Sequence, residues 1–411
     1  MNEQATAVAQ DTALTDFNPF SPDFVRNPYP YYHRLRAAEP LHKSPMGFWV
    51  ASRNQDVAQI LKDRRFGKGF EQRTIRRVGE EAFSHPAYAS MRHWMLVLDP
   101  PDHTRLRGLV TKAFTARRIE EWRPRIERAV AELIDGVVTR GEMDFIKDFA
   151  YPLPVNVICD ILGIPAEDRA QFQIGSRLSG RLIDPTPMSP QELEESDRGF
   201  LEQEAYFKEL FARRRREPQD DLTTHLVQAE EAGDRLTEDE LVANVILLFG
   251  AGHETTVNLL GNGLFALLHN PAELARLKAD PALIPNAVEE MLRFDSSVQL
   301  TGRMAMEDVD IGGVTIAKED YILCLLGAAN RDPEAFAEPD AFKVDRPDVK
   351  PQSFGGGIHF CLGAQLARVE AEIAFRALLD RLPDLRLAEP DKADWRPTFT
   401  LRGLLSLPVA W

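Results

Sequence analysis

The stretch Phe354-Gly-Gly-Gly-Ile-His-Phe-Cys361-Leu-Gly363 decides the fold, and a helical pattern follows it from about Leu362 to Leu382. Three glycines allow the backbone to turn tightly and to approach a flat, closely packed group. Cys361 is thereby placed at the N-terminus of the last helix, where the helix dipole and free N–H groups favour a thiolate. A thiolate held in this way suits an iron ligand, and the small residues Gly363, Ala364 and Ala367 let a broad ring lie against that face.

Two other interpretations of this loop were weighed. The glycines could cradle a phosphate, but their spacing matches neither the dinucleotide fingerprint nor the P-loop. Cys361 could be a nucleophile, but no His/Asn arrangement in the sequence identifies one. The other two cysteines, Cys159 and Cys324, lie in apolar segments and are predicted to be core residues.

The second informative segment is a long apolar helix. Thr237 is predicted as its N-cap with Glu240 as capping-box partner, and Asn270-Pro271 ends it after Leu268. Ala251-Gly-His-Glu-Thr-Thr256 lies near its middle. An acid beside an alcohol in an apolar helix is costly unless it is used or solvated, and a Thr hydroxyl can bond back to a carbonyl one turn away. The small pair Ala251-Gly252 is expected to leave room beside the backbone.

The remaining sequence indicates a globular, mainly helical chain with a small β portion. It has 411 residues, 44% hydrophobic residues and a net charge of −15, which argues against generic binding to nucleic acid or membranes. No secretory signal or membrane span is recognisable, so a soluble, cytoplasmic protein is predicted. Residues 1–16 are predicted as a flexible arm and 17–411 as a single domain. Further predicted elements are a strand at 48–52, helices at 271–279 and 286–294, strands within 308–316 and 321–326, and a Pro-rich loop at 184–190.

The cysteine loop resembles the haem-ligand signature F-G-x-G-x-H-x-C-x-G of the cytochrome P-450 family at every defined position. The similarity extends from NPYPYYHRLR near the start to SLPVAW at the end and is greatest to the soluble bacterial branch. The resemblance implies the cytochrome P-450 fold, with haem b between the long central helix and the cysteine-loop helix. It also implies an oxidoreductase, a monooxygenase that activates O2 and oxidises an apolar small molecule.

The resemblance further implies roles for individual residues. Cys361 is the iron ligand, Thr255 steadies the bound O2, and Glu254 helps to deliver protons. Glu290 and Arg293, an E-x-x-R pair, join Arg346 in a structural ion-pair group, although a surface ion pair is the ordinary interpretation of that spacing. The remaining predicted cofactor-binding residues, some of which meet the haem propionates, are His103, Arg107, Ala251, Arg303, Phe354, His359 and Gly363.

The sequence predicts the substrate and the redox partner less precisely than it predicts the haem site. The predicted pocket residues are Leu247, Ala251, Val298, Gln299, Thr400 and Leu401, and loops at 67–95 and 184–190 are predicted to form the entrance and lid. No flavin or iron–sulfur segment is recognisable, so electrons are expected from a ferredoxin and its reductase. A basic patch of Arg105, Lys112, Arg117, Arg118 and Arg368 is one candidate docking surface; scattered solvated charges are the other interpretation.

A monomer is expected, and terpenoids, steroids, fatty acids and other secondary metabolites all stay open as substrates. The rival functions are a peroxide-driven haem-thiolate oxygenase, and a haem-thiolate sensor without turnover.

Overall fold

The computed structural model describes residues 21–171, 180–185, 188–231, 236–390 and 392–411. Its named α-helices, in chain order from α1 to α15, are Pro22–Arg26, Tyr29–Ala38, Asn54–Lys62, Phe70–Val78, Pro86–Met91, Asp102–Thr111, Ala116–Asp135, Pro152–Leu162, Pro190–Arg216, Leu222–Glu231, Glu238–Leu268, Pro271–Ala279, Ile284–Phe294, Leu326–Ala329 and Ala364–Arg381.

The strands are short. In chain order from β1 to β12 they are Leu41–Lys43, Trp49–Ala51, Phe66–Gly67, Glu142–Asp144, Leu300–Ala305, Val309–Ile311, Val314–Ile316, Tyr321–Leu325, Arg386–Leu387, Asp394–Trp395, Leu404–Ser406 and Pro408–Ala410. Helices therefore dominate the described chain, as the sequence predicts.

The chain packs into two compact units. The first contains the residues up to Gly67 together with Asn258–Cys361 and Arg386–Val409. Its main sheet has the strand order β1-β2-β8-β5-β3, in which only the β2–β8 pair is parallel. Residues from α3 and from this sheet, including Ile60, Ile322 and Cys324, form one core cluster. The fully buried Cys324 is thus a packing residue, as predicted.

The second unit contains Lys68–Val257, Leu362–Leu385 and the last two residues. It is helical in the main, and α7 packs against both α8 and α15. Phe145 and Phe149 stack beside α8 with ring centroids 5.3 Å apart. Cys159 on α8 is fully buried, so it too is a packing residue.

The long helix α11 has the predicted bounds. Thr237 Oγ1 accepts a hydrogen bond from the Glu240 N–H (3.2 Å), and the Thr237 N–H donates to Glu240 Oε2 (2.9 Å). This is the reciprocal capping box that the sequence predicts. The helix ends at Leu268 before Pro271 and has 31 residues, which corresponds to roughly 45 Å at 1.5 Å per residue.

Some sequence predictions fall partly outside the described residues. The arm at residues 1–16 lies wholly outside them, and the loop at 184–190 lacks residues 186–187. Within the part of the chain that is described, none of the helices combines the length and apolarity that crossing a bilayer requires.

Candidate functional site

The cysteine loop is a tightly folded turn before α15. The Cys361 N–H donates to the Phe354 carbonyl (2.9 Å), and the Phe360 N–H donates to the Gly357 carbonyl (3.1 Å). The aromatic rings of Phe354 and Phe360 lie 6.3 Å apart at the two ends of this turn. Unlike the two buried cysteines, Cys361 is exposed. The loop therefore presents a thiol outward on a backbone whose position is fixed by hydrogen bonds.

Two glycines of the loop have a packing role that the sequence did not predict. Gly357 has φ +65°, and a Cβ added there would lie 2.2 Å from the Leu61 carbonyl oxygen of α3. A Cβ on Gly356 would lie 3.1 Å from the Leu61 Cβ. These two glycines thus allow the loop to pack closely on α3. At Gly363 an added Cβ would meet no described atom within 4 Å.

A polar cluster that the sequence analysis missed anchors the start of the loop. Ser353 Oγ donates to the Leu292 carbonyl (2.6 Å), and Asn330 Nδ2 donates to the hydroxyls of Ser353 (2.8 Å) and Ser296 (2.7 Å). The Gln352 N–H donates to Asn330 Oδ1 (2.7 Å). Because the residues are far apart in sequence and of common type, no local pattern could have indicated this cluster.

A second group fixes the irregular stretch before the loop. Arg293 donates through Nε and Nη2 to both carboxylate oxygens of Glu290 (2.7 and 2.8 Å), and Arg346 Nε donates to Glu290 Oε2 (2.9 Å). Glu290 and Arg293 are fully buried, and this burial lowers the pKa of Arg293. The structure thus brings together all three residues that the sequence selected for this role.

The two arginines of this group also hold backbone carbonyls of the irregular stretch. Arg293 donates to the carbonyls of Asn330, Pro339 and Ala341, and Arg346 donates to those of Ala337, Glu338 and Ala341. The Lys343 N–H donates to Glu290 Oε1 (2.9 Å). One carboxylate and two guanidinium groups therefore fix residues 330–346 by satisfying buried backbone groups.

The middle of α11 combines buried and accessible residues. Residues 241–250 are all buried, whereas Ala251 is exposed and Gly252 and Thr255 are partly exposed. Thr255 Oγ1 donates to the Ala251 carbonyl one turn earlier (3.0 Å), which is the back-bond that the sequence suggested. Glu254 is buried at 8% exposure. An otherwise buried helix thus has one accessible face of small residues with an acid and an alcohol beside it.

The room expected beside Gly252 is a prediction that the structure corrects. A Cβ at Gly252 would lie 2.9 Å from Ile158 Cδ1 on α8, so this glycine allows two helices to pack closely. Ala251 is the fully exposed residue of this face, whereas Gly252 is only partly exposed. The neighbouring His253 is buried, and its Nδ1 lies 2.7 Å from the Phe249 carbonyl.

The predicted propionate-binding residues occur in both units. His103 and Arg107 lie on α6 in the second unit, and His103 is 2% exposed. Arg303 on β5 and His359 in the cysteine loop lie in the first unit, and Arg303 Nη1 donates to the Gly302 carbonyl (2.9 Å). Each unit thus contains one histidine and one arginine of the predicted set.

Gln299, one of the predicted pocket residues, lies in the protein core. Gln299 is buried, Tyr32 Oη donates to its Oε1 (3.0 Å), and its Nε2 donates to the Ser296 carbonyl (2.8 Å). Because both ends of the amide are used inside the core, we remove Gln299 from the predicted pocket. Val298 and Leu401 form an isolated β-bridge, and the Gln299 N–H donates to the Thr400 carbonyl (2.8 Å).

Known proteins resemble this chain in sequence and in fold. The family model described as "Cytochrome P450" matches residues 42–392. The chain belongs to the cytochrome P450 family. Its members are monooxygenases, and the family implies a haem-thiolate centre.

Similar proteins include cytochrome P450 107B1 of Saccharopolyspora erythraea, which is 44% identical over 96% of this chain and 98% of its own length. The crystal structure of P450BioI in complex with acyl carrier protein ligated to hexadec-9Z-enoic acid matches at TM-score 0.89, with 42% identity over 95% of this chain and 100% of that chain. The myxobacterial cytochrome P450 CYP267B1, solved in complex with myristic acid, matches at TM-score 0.88, with 41% identity over 95% of this chain and 98% of that chain.

The residues of this P450 fit a haem-thiolate group. The loop offers one exposed sulfur donor on a fixed backbone. Arg303 and His359, which lie in the same unit as Cys361, are of the types that bind carboxylates. We infer that Cys361 would hold the iron, and that Arg303 and His359 would contact the propionates.

A buried acid on the cysteine-loop helix has a strongly perturbed pKa. Glu370 on α15 is 1% exposed, and its Oε2 has no hydrogen-bond partner among the described residues. Burial raises the pKa of Glu370 to about 8. The unfolded chain releases this proton near pH ~4.3, so the folded state binds the proton more tightly than the unfolded state.

This difference predicts how stability depends on pH. The free energy of unfolding should fall as pH rises from about 4.3 to about 8, by up to about 1.4 kcal/mol per pH unit, and should then level off. Glu370→Gln should remove this pH-dependent part of the free energy of unfolding. The variant should therefore be more stable than wild type above about pH 8. Urea unfolding at a series of pH values measures this effect. Glu372→Gln, a half-buried position on the same helix, is the control and should keep the wild-type slope. Parallel profiles for wild type and Glu370→Gln would contradict the prediction.

Proposed function

We propose that this P450 binds haem b through Cys361 and oxidises an apolar small molecule with O2, using electrons from a ferredoxin and its reductase. The exposed Cys361 thiol, held on a hydrogen-bonded turn directly before α15, is the observation that carries the proposal. When bound, the haem supplies O2 activation and the oxidising power for the substrate. We further propose that the protein acts as a monomer in the cytoplasm.

The Cys361 sulfur is expected to be a thiolate. α15 begins at Ala364, and the first N–H groups of a helix have no acceptor within it. Together with the helix dipole they stabilise negative charge just before the helix. As a thiolate, Cys361 would donate electron density to a bound haem iron, which a thiol would not do.

Thr255 is proposed to hold a proton-transfer partner in place. Its hydroxyl proton points to the Ala251 carbonyl, so the lone pairs of Oγ1 are available to accept a hydrogen bond. A hydroxyl oxygen that accepts a hydrogen bond stabilises a neighbouring group that carries a proton. Glu254, adjacent and buried, is proposed to pass protons towards this hydroxyl. The roles proposed for Glu254 and Thr255 rest on the residue types, on the burial of Glu254 and on the hydrogen bond from Thr255 Oγ1 to the Ala251 carbonyl.

The substrate is proposed to be apolar, and two relatives favour a long acyl chain. One similar structure was solved with free myristic acid and another with hexadec-9Z-enoic acid ligated to acyl carrier protein, where the carboxyl group is taken up by the linkage. We therefore place compounds with a fatty acyl chain ahead of the other classes. The substrate contacts proposed from the sequence for Leu247, Ala251, Val298, Thr400 and Leu401 stay predictions.

Ion pairs within the protein already engage some of the basic residues that are proposed to bind a ferredoxin. Arg105 donates to both oxygens of Glu240 (2.5 and 3.1 Å), and Arg117 and Arg118 both donate to Glu121. Of the proposed patch, Lys112 is exposed. We therefore propose a smaller docking surface centred on the exposed Lys112, and we exclude Arg105 from it. Rim charges of this kind mainly affect association rates and their salt dependence.

The Thr255 assignment predicts loss of coupling. Thr255→Ala removes the accepting oxygen, so product formed per electron consumed should fall by about a hundredfold, the lower end of what one positioned proton-transfer group contributes. Thr255→Ser keeps the hydroxyl and should stay near wild type. Product and electron consumption are measured together in a turnover assay with a ferredoxin and its reductase. An unchanged ratio in Thr255→Ala would contradict the assignment.

The same assay separates the rival functions. Turnover with ferredoxin, reductase and O2 is expected for a monooxygenase. Turnover only with added peroxide would indicate the peroxide-driven class, and ligand binding without any product would indicate a sensor.

A further inference from the structure

One buried asparagine lies between the ion-pair group and the cysteine loop. The backbone carbonyl of Asn330 accepts a hydrogen bond from Arg293 Nη1 (2.9 Å), while its side chain contacts Ser353 and the Gln352 N–H at the start of the loop. Asn330 is fully buried and follows directly after α14. Its backbone and its side chain thus connect the buried ion pair to the loop.

The side-chain amide of Asn330 uses both of its N–H donors. An asparagine amide has two such donors and one carbonyl oxygen. Nδ2 donates to Ser296 Oγ (2.7 Å) and to Ser353 Oγ (2.8 Å), and Oδ1 accepts from the Gln352 N–H (2.7 Å). Both serines are buried. The amide therefore matches its surroundings in a way that a carboxylate, which lacks both donors, would not.

The two serines direct their hydroxyl protons to the same acceptor. Ser296 Oγ and Ser353 Oγ both donate to the Leu292 carbonyl of α13, at 2.9 and 2.6 Å. This carbonyl belongs to the last turn of α13, where a helix supplies no N–H partner of its own. Because both protons are used there, both hydroxyl oxygens act as acceptors towards Asn330. The cluster thereby holds Ser353 in one position.

The position of Ser353 determines where the acceptor of the cysteine N–H lies. Ser353 directly precedes Phe354, whose carbonyl accepts the Cys361 N–H (2.9 Å). The Gly355 N–H donates to the Gln352 carbonyl (2.8 Å), so the backbone is also tied across Phe354. A movement of Ser353 would therefore shift the Phe354 carbonyl and, with it, the backbone of Cys361.

We propose that Asn330 is a positioning residue for the haem thiolate and acts on Cys361 through Ser353 and Phe354. The proposal rests on the proposed function, because it concerns the iron ligand of the same site. With the cluster intact, Cys361 stays at the position from which it ligates iron. When the contact to Ser353 is broken, the folded protein loses thiolate ligation more readily.

The two serines provide a matched pair of variants. Ser353→Ala and Ser296→Ala each remove one hydroxyl that donates to the Leu292 carbonyl and accepts from Asn330. Each variant leaves one buried N–H of Asn330 without its acceptor, so the two should lose a similar amount of global stability. Only Ser353 lies in the segment that leads to Cys361. The pair therefore separates the position of the ligand from the stability of the fold.

The experiment follows the iron ligand and the helices in the same samples. Haem-loaded wild type and variants are reduced, exposed to carbon monoxide and titrated with urea, and the Soret band and far-UV circular dichroism are recorded. Below the unfolding transition, Ser353→Ala should lower the ratio of thiolate-type to other CO-bound protein by about fivefold or more, the equivalent of about one hydrogen bond. Asn330→Ala should lower this ratio at least as much, and Ser296→Ala should keep the wild-type ratio.

Equal ratios in Ser353→Ala and Ser296→Ala would overturn the proposal, whether both fall or both stay at the wild-type value. The cluster would then stabilise the fold without positioning the ligand. Failure of the proposed function is a different observation, because the wild-type protein itself would then show no thiolate-type band, and this inference would fail with it.

Discussion

Cys361→Ala is expected to abolish the thiolate signature and with it the monooxygenase activity. Wild-type protein loaded with haem, reduced and exposed to carbon monoxide should show a red-shifted, thiolate-type Soret band. The variant should lose that band, because the remaining cysteines, Cys159 and Cys324, are fully buried in apolar cores. Without a thiolate donor, O–O cleavage is no longer favoured, so product formation should fall to the level of the enzyme-free reaction.

The two buried cysteines provide the control for this experiment. Cys159→Ala and Cys324→Ala remove the same atom from packing positions and should each cost about 1 kcal/mol of stability through a small cavity. Both should keep the thiolate-type band. A thiolate-type band that persists in Cys361→Ala, or an imidazole-type band in well-folded wild type, would show that Cys361 is an ordinary loop residue and does not ligate the iron.

Glu290→Ala is expected to be the most destabilising of the substitutions considered. It leaves the guanidinium groups of Arg293 and Arg346 buried without the carboxylate they share. Removing one partner of a buried ion pair typically costs about 3–5 kcal/mol, because the remaining charge is uncompensated. Residues 330–346 lose their anchor at the same time, so haem retention should fall as well. Denaturant unfolding and haem content measure the two effects.

The chain contains a matched control for Glu290→Ala. Glu120 and Arg123 on α7 form another E-x-x-R pair, with Arg123 Nε donating to Glu120 Oε2 at 2.8 Å, but Glu120 is exposed and Arg123 is partly exposed. Glu120→Ala should change the stability little, because solvent screens a surface ion pair. Similar losses in Glu120→Ala and Glu290→Ala would contradict the structural role assigned to the buried group.

The sequence could predict elements whose signals are local. The α11 capping box uses residues three apart, and Pro271 ends the helix through its missing N–H. Hydrophobic periodicity and the cysteine signature are likewise readable along the chain. The same local logic failed at Gly252, since a glycine shows that something approaches the backbone without showing what approaches it. The approaching group there is Ile158, and at Gly356 and Gly357 the structure adds Leu61 as a close neighbour.

By itself, the sequence determined the family, the proposed ligand Cys361, the acid–alcohol pair Glu254-Thr255 and the main helices, because each of these depends on residues close together in the chain. Only the tertiary structure decided which E-x-x-R pair is buried, how Asn330 anchors the cysteine loop, and why Gln299 belongs to the core. These facts depend on burial and on contacts between residues far apart in sequence. The energy of a charge or an amide is set by that environment.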